Sequence, residues 1–137
     1  MMKHLLFPVI VTIFSVPIQA QHGDVNLSGE QYVETQLALL NGVTEMLNLP
    51  TITDAPDEVA VGIQQLVGHL RVLATYKQEI PALELEKAQA GANKKARTHA
   101  AGQAFLAAIN KTAANNFYNS SKLAGAIREL SIALELL

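Results

Sequence analysis

Three side chains of this sequence have the chemistry to ligate a haem iron or a metal ion: the thioether of Met46 and the imidazoles of His69 and His99. A helical bundle can hold haem between a methionine and a histidine on facing helices, or a metal ion between histidines. However, the spacings that mark a metal site on one helix, such as HxxxH, ExxH or HxxEH, do not occur in the sequence. Both histidines fall at the edge of a predicted apolar stripe, where a solvated or singly hydrogen-bonded side chain is the usual outcome. We therefore assign no metal or cofactor ligands, and a haem- or metal-carrying periplasmic bundle stays as the alternative function.

Sequence signatures of catalysis are missing. Cysteine does not occur, which excludes a disulfide framework, a thiolate metal site and a cysteine nucleophile. The motifs GxSxG, GxGxxG and HExxH and the P-loop are absent, and no pattern sets a base beside a nucleophile. The sequence therefore predicts a protein that is not an enzyme.

Basic residues are concentrated in one short stretch, which comprises Lys87, Lys94, Lys95 and Arg97, with His99 nearby. Such a stretch can contact an anionic polymer or a lipid headgroup. More often it forms a solvated helix face, here partly balanced by Glu84 and Glu86, and we expect that arrangement. The formal net charge of −2 and the charged fraction of 16% exclude a nucleic acid partner.

The first twenty residues have the organisation of a secretory signal peptide. Lys3 supplies a positive charge, residues 5–18 carry none, and Ala20 is a small residue at the expected cleavage site. A helix of this apolar length spans about 21 Å, which is short of the roughly 30 Å hydrocarbon core of a membrane. We therefore predict a signal peptide over 1–20, a flexible lead over 21–27 and a helical domain over 28–137. The protein is expected to be secreted or periplasmic, with no membrane span after cleavage.

The first predicted helix carries two apolar rows. Ser28 is a plausible N-cap, with Gln31 three residues later as in a capping box. One row follows helical spacing and consists of Val33, Leu37, Leu40 and Leu47. The second row lies beside it and consists of Tyr32, Leu39, Val43 and Met46.

The second predicted helix has the most regular pattern in the chain. Asp54 and Pro56 mark its start, and Pro81 ends or kinks it. Its apolar stripe has the heptad rhythm of packed helices and comprises Val59, Ile63, Leu66, Leu70, Leu73 and Ile80, with Lys77 in the one skipped position.

The rest of the chain predicts two further long helices. We expect a break near residues 91–93, because an uninterrupted helix from Pro81 to about residue 114 would span about 50 Å, far more than its neighbours. Beyond the break, the predicted stripe is Thr98, Gly102, Phe105, Ile109 and Thr112. After a turn marked by Asn115, Asn116 and residues 119–121, the last helix carries Leu123, Ile127, Leu130, Leu134 and Leu137. The pattern favours an all-α fold, an antiparallel up-down four-helix bundle.

One apolar row is enough for the core of a bundle, so the second row of the first helix suggests a function. Tyr32, Leu39, Val43 and Met46 are expected either to pack inside or to contact another chain. Our leading hypothesis is a small exported helical-bundle protein that acts without catalysis, by binding a partner protein or by assembling with itself.

Overall fold

The computed structural model describes residues 27–137, and the predicted signal peptide and residues 21–26 of the predicted lead lie outside this range. The described residues form five α-helices and no strand, which confirms the all-α class for this part of the chain. The helices are α1 (Gly29–Leu47), α2 (Pro56–Lys77), α3 (Ala82–Ala90), α4 (Ala92–Ala114) and α5 (Ser121–Glu135). Two 3-10 turns, Pro50–Thr53 and Asn116–Asn119, complete the described elements.

The predicted capping box starts α1. The Ser28 hydroxyl accepts a hydrogen bond from the Gln31 amide at 3.1 Å, and the Gln31 side chain accepts one from the Ser28 amide at 2.9 Å. These two bonds satisfy backbone groups that the first turn of a helix leaves unpaired. Asn48 caps the other end of α1, and Pro50 then begins a 3-10 turn instead of a continuing helix.

The heptad stripe of α2 forms the centre of the core. All six predicted positions are buried, and four of them, Ile63, Leu66, Leu70 and Leu73, are at most 1% exposed. The helix begins with Pro56 in its first turn, together with Asp57 and Glu58, whose charges the helix dipole favours. Lys77 occupies the skipped position of the stripe, and its ammonium donates a hydrogen bond to the main-chain oxygen of Leu137.

The predicted break between α3 and α4 lies at Gly91, whose ψ of 141° is extended instead of helical. The short helix α3 buries none of its residues. It is joined to α1 at Gly29, whose amide donates to a Glu84 carboxylate oxygen at 2.6 Å. A Cβ at Gly29 would lie 3.0 Å from the Glu84 carbonyl oxygen, so the glycine permits this close approach. Glu84 therefore stabilises the start of α1, whereas the sequence pattern suggested that it balances the basic cluster.

Helix α4 packs through smaller side chains than its predicted stripe. Ala101, Ala108 and Thr112 are buried, Phe105 and Ile109 are half-buried, and Thr98 is exposed. The face of α4 that contacts its neighbour is therefore rotated from the predicted stripe. Alanines allow the two helix axes to approach closely, and the larger side chains Phe105 and Ile109 then lie beside the contact. Only Thr112 of the predicted stripe is fully buried.

The long helices pack in two parallel pairs. The most extensive contact is between α2 and α5, and α1 contacts α4, α2 and α3. Ser120 and Asp57, at the starts of α5 and α2, are hydrogen-bonded, whereas Lys77, at the end of α2, reaches Leu137 beyond the end of α5. Helices α2 and α5 therefore run in the same direction. Ion pairs between the starts of α1 and α4 establish the same relationship there.

The second apolar row of α1 is buried within the chain. Tyr32, Leu39, Val43 and Met46 are each at most 2% exposed. Because α1 packs against three other helices, more than one of its faces is covered. Of the two expected arrangements for this row, packing inside or contacting another chain, the structure shows the first for these four side chains.

None of the described helices combines the length and the apolar character needed to cross a bilayer.

Candidate functional site

A groove of about 430 Å³ lies between α1 and α4 and is bordered at one point by the end of α3. It is lined by Val33, Gln36, Leu37, Leu40, Gln89, Lys95, Thr98 and His99. More of the lining surface is apolar than polar. The groove is therefore suited to an apolar group that also carries polar or charged neighbours.

The floor of the groove comes from α1. Val33, Leu37 and Leu40 are spaced four and three residues apart, so they share one face of the helix. The sequence pattern predicted this row as part of the internal core. Val33 and Leu37 are buried, but Leu40 remains half-buried because α4 opposite it carries Thr98 and His99 instead of large apolar side chains. The groove exists because α4 does not fill the space above this row.

The rim of the groove is polar and carries positive charge. Lys95, Thr98 and His99 of α4 are exposed at its edge, and Gln36 and Gln89 complete the polar border. Among the described lining residues none is acidic, and Lys95 brings an ammonium group. An anionic group bound at this edge would meet donors and a cation without a facing carboxylate.

Ion pairs join α1 to α4 through residues that do not line the groove. Lys94 donates to Glu30 at 2.6 Å and also to Glu34. Arg97 binds both carboxylate oxygens of Glu34, at 3.0 and 2.7 Å, in the bidentate geometry that guanidinium groups favour. The hydrogen bonds from Arg97 and Lys94 lower the pKa of Glu34 to about 2.

These contacts divide the basic cluster into two groups. Lys94 and Arg97 are neutralised by carboxylates of α1, about 60 residues earlier in the chain, and not by Glu84 and Glu86. Lys95 and His99 point toward the groove. Sequence reasoning identified the cluster but could not divide it, because the division depends on which side of α4 faces α1.

The three possible haem or metal ligands do not line one site. Met46 is 1% exposed in the core near the end of α1, and His69 is half-buried on α2. Burial lowers the pKa of His69, which favours the neutral imidazole. Only His99 of the three lines the groove. Within residues 27–137 no three histidine, aspartate or glutamate side chains are grouped in a way that could hold a metal ion.

What the groove offers is binding: an apolar floor, hydrogen-bonding groups and one lysine at its edge. No protein-family model, curated protein or solved structure matches this chain.

Proposed function

We propose that this protein is an exported, non-enzymatic interaction module whose groove between α1 and α4 binds a segment of a partner protein. The segment would place apolar side chains on Val33, Leu37 and Leu40 and acidic side chains beside Lys95 and His99. The observation that carries this proposal is the combination of an apolar floor with a cationic, acid-free rim in one groove of about 430 Å³.

Charge complementarity supports an acidic partner. Glu30 and Glu34 of α1 form ion pairs with Lys94 and Arg97. Their negative charge is therefore already compensated within the protein and repels an acidic ligand less. Lys95 has no such carboxylate among the groove residues. An acidic side chain of the partner therefore gains attraction from Lys95 and from hydrogen-bond donors without facing a bare negative charge.

The size of the groove limits the affinity. Burying one or two leucine side chains contributes about 2–6 kcal/mol, from which the entropy of association must be subtracted. We therefore expect a dissociation constant of about 100 µM or weaker for an isolated segment. This range is typical of transient recognition of a short motif and not of a permanent complex.

The proposal is tested with a synthetic amphipathic peptide that carries two leucines one helical turn apart, flanked by glutamates. Binding to the protein is followed by perturbation of amide NMR signals. We expect shifts confined to α1, α4 and the end of α3, and loss of binding to a peptide in which lysines replace the glutamates. Shifts elsewhere, or equal binding of both peptides, would contradict the proposal.

Two variants test the groove directly. Thr98→Trp fills the groove from its exposed rim and should abolish binding while the fold is retained. Lys95→Glu should weaken binding of the acidic peptide and strengthen binding of the basic one, and Lys122→Glu, a matched charge reversal on α5, should leave both unchanged. If an isolated fatty acid binds more tightly than the acidic peptide, the groove is a small-molecule site and the protein-partner proposal fails.

We also propose export and an open form of the four-helix bundle. Residues 1–20 support export through their basic start, apolar run and small cleavage residue. N-terminal sequencing of protein from the secreted or periplasmic fraction should begin at Gln21, and retention of Met1 would contradict cleavage.

The arrangement proposed for the four long helices keeps α1 and α2 antiparallel at the centre, with α4 packed on α1 and α5 on α2, as their contacts support. Pairwise spin-label distances from α4 to α1 shorter than those from α4 to α2 are expected for this arrangement.

A further inference from the structure

The connection between α4 and α5 has an unfavourable backbone conformation. Four consecutive residues, Asn116 to Asn119, have φ values of 54°, 54°, 54° and 61°. Asparagine tolerates this left-handed region, but Phe117 and Tyr118 are bulky residues for which it is strained. A left-handed turn of four residues without glycine persists only where the surrounding structure enforces it.

Docking of α5 on α2 enforces the turn. The Ser120 hydroxyl donates to Asp57 at the start of α2 and accepts from the Leu123 amide at 3.0 Å. The apolar face of α5 is buried, with Leu123, Ala126 and Leu130 fully covered. Helix α5 packs far more extensively on α2 than on α4, its neighbour in the chain. The strain in the turn therefore comes from bringing α5 back onto α2 of the same chain.

Release of the strain has a simple structural route. Residues 115–120 contain neither proline nor glycine, so they can adopt right-handed helical angles and join α4 to α5 in one continuous helix. That change carries α5 away from its own α2. The apolar faces of α2 and α5 would then be exposed to solvent, and each would need a complementary apolar surface to pack against.

We propose that the connection is a hinge through which two copies of this chain exchange α5. In the exchanged dimer, α5 of each copy packs on α2 of the other, so the contacts between α2 and α5 are made again while the left-handed turn is relieved. The occupant is a second copy because its α2 carries the same surface that α5 already fits, including Asp57 as the acceptor for Ser120. This inference uses α2, α5 and the hinge and does not depend on the groove.

The absence of cysteine from the chain allows a direct test. The variants Asp57→Cys and Ser120→Cys are made separately, mixed, unfolded, and refolded together at high concentration. An exchanged dimer places the two cysteines of different chains in contact, so a mixed disulfide between position 57 of one chain and position 120 of the other should form. The control pair Gln64→Cys and Lys122→Cys, exposed on the same two helices, reports cross-links from random collision. The double variant Asp57→Cys/Ser120→Cys should form the disulfide within one chain when it is refolded at low concentration.

Light scattering on the full chain without cysteine substitutions provides a second test. We expect a dimer fraction that rises with the concentration at which the chain is refolded. Because glycine adopts a positive φ without strain, Tyr118→Gly should stabilise the closed monomer. We expect it to lower the dimer fraction by about fivefold or more for each of the two hinges of the dimer. Gln103→Gly, which places glycine in the exposed part of α4, should not lower it. A dimer that forms without the mixed disulfide, or a monomer at every concentration tested, would overturn the proposal.

Discussion

Lys77 of α2 donates a hydrogen bond to the main-chain oxygen of Leu137, beyond the last turn of α5. The lysine lies on the apolar stripe of its helix, one turn before Ile80. In a heptad pattern this position is normally occupied by a buried apolar side chain. The Lys77 ammonium reaches an oxygen 60 residues away in the sequence. The Tyr32 hydroxyl of α1 contacts the same oxygen at 3.5 Å. This end of the chain is thus connected to both α1 and α2.

Removing the lysine should therefore destabilise the fold more than removing the tyrosine hydroxyl. We expect Lys77→Met, which keeps the stem, to lower the free energy of unfolding by about 1–2 kcal/mol, as for a hydrogen bond to a charged group. Tyr32→Phe should lower it by about 0.5 kcal/mol, since its bond is long and neutral. Urea unfolding measures both, and Lys122→Met on the surface of α5 serves as the control. Equal effects of all three variants would show that the contact to Leu137 adds no stability.

Acid should weaken the link between α1 and α4. The pKa of Glu34 is lowered to about 2 by hydrogen bonds from Arg97 and Lys94, so folding favours the ionised carboxylate. Its contribution is complete above the ordinary pKa of about 4.5 and is lost as the pH falls toward 2. The difference in melting temperature between the wild type and Glu34→Gln should therefore shrink between pH 6 and pH 2, as followed by circular dichroism.

Salt provides the control for this pH effect. The ion pairs of Glu34 are partly exposed, so added salt should reduce the same difference at neutral pH. Glu129→Gln, on the exposed face of α5, should show no comparable change with salt. A constant difference between the wild type and Glu34→Gln across this pH range would exclude a role for these ion pairs.

Alkali should reveal the burial of Tyr32. Desolvation raises the pKa of its hydroxyl to about 12, so the folded state favours the neutral phenol. The stabilisation is complete below the ordinary pKa of 10 and is lost as the pH rises through 10 toward 12. Titration of phenolate absorbance should show a component near pH 12 that disappears in Tyr32→Phe. If the difference spectrum between the two proteins instead titrates near pH 10, the hydroxyl is open to solvent.

The heptad stripe of α2 should account for a large part of the stability. Leu66 is fully buried where α2 meets α1, and its side chain lies 3.6 Å from a Cβ placed at Gly42. Leu66→Ala removes this packing and leaves a cavity, and we expect a loss of about 2–5 kcal/mol. Leu106→Ala, at a leucine that is 58% exposed on α4, should change stability by less than about 0.5 kcal/mol. Thermal melts of the two variants give the comparison, and similar losses would place Leu66 outside the core.

Local patterns in the sequence predicted the four long helices and several of their ends. The capping box of Ser28 and Gln31, the stop before Pro50, the start at Pro56 and the break at Gly91 all depend on neighbouring residues, and each is present in the structure. The apolar stripe of α2 was also predicted, because a heptad repeat identifies the buried face of a helix wherever its partners lie.

The contact face of α4 and the fate of the second row on α1 were not predictable in this way. Alanine and threonine give a weak apolar signal, so the stripe assigned to α4 was displaced from Ala101 and Ala108, the alanines that it buries. Tyr32 and Met46 belong to a row whose burial depends on how many helices pack around α1. The residue pattern of α1 alone does not predict that number.

The sequence by itself determined the four long helices, several of their ends, and which face of α2 is buried, because these depend on interactions within a few turns of one helix. Only the tertiary structure decided that Lys94 and Arg97 are bound by Glu30 and Glu34 while Lys95 and His99 border a groove. It also decided that residues 116–119 adopt a left-handed turn against their own preference. Both outcomes depend on helices that are distant in sequence, since the docking of α4 on α1 and of α5 on α2 determines which side chains meet and how much backbone strain the chain retains.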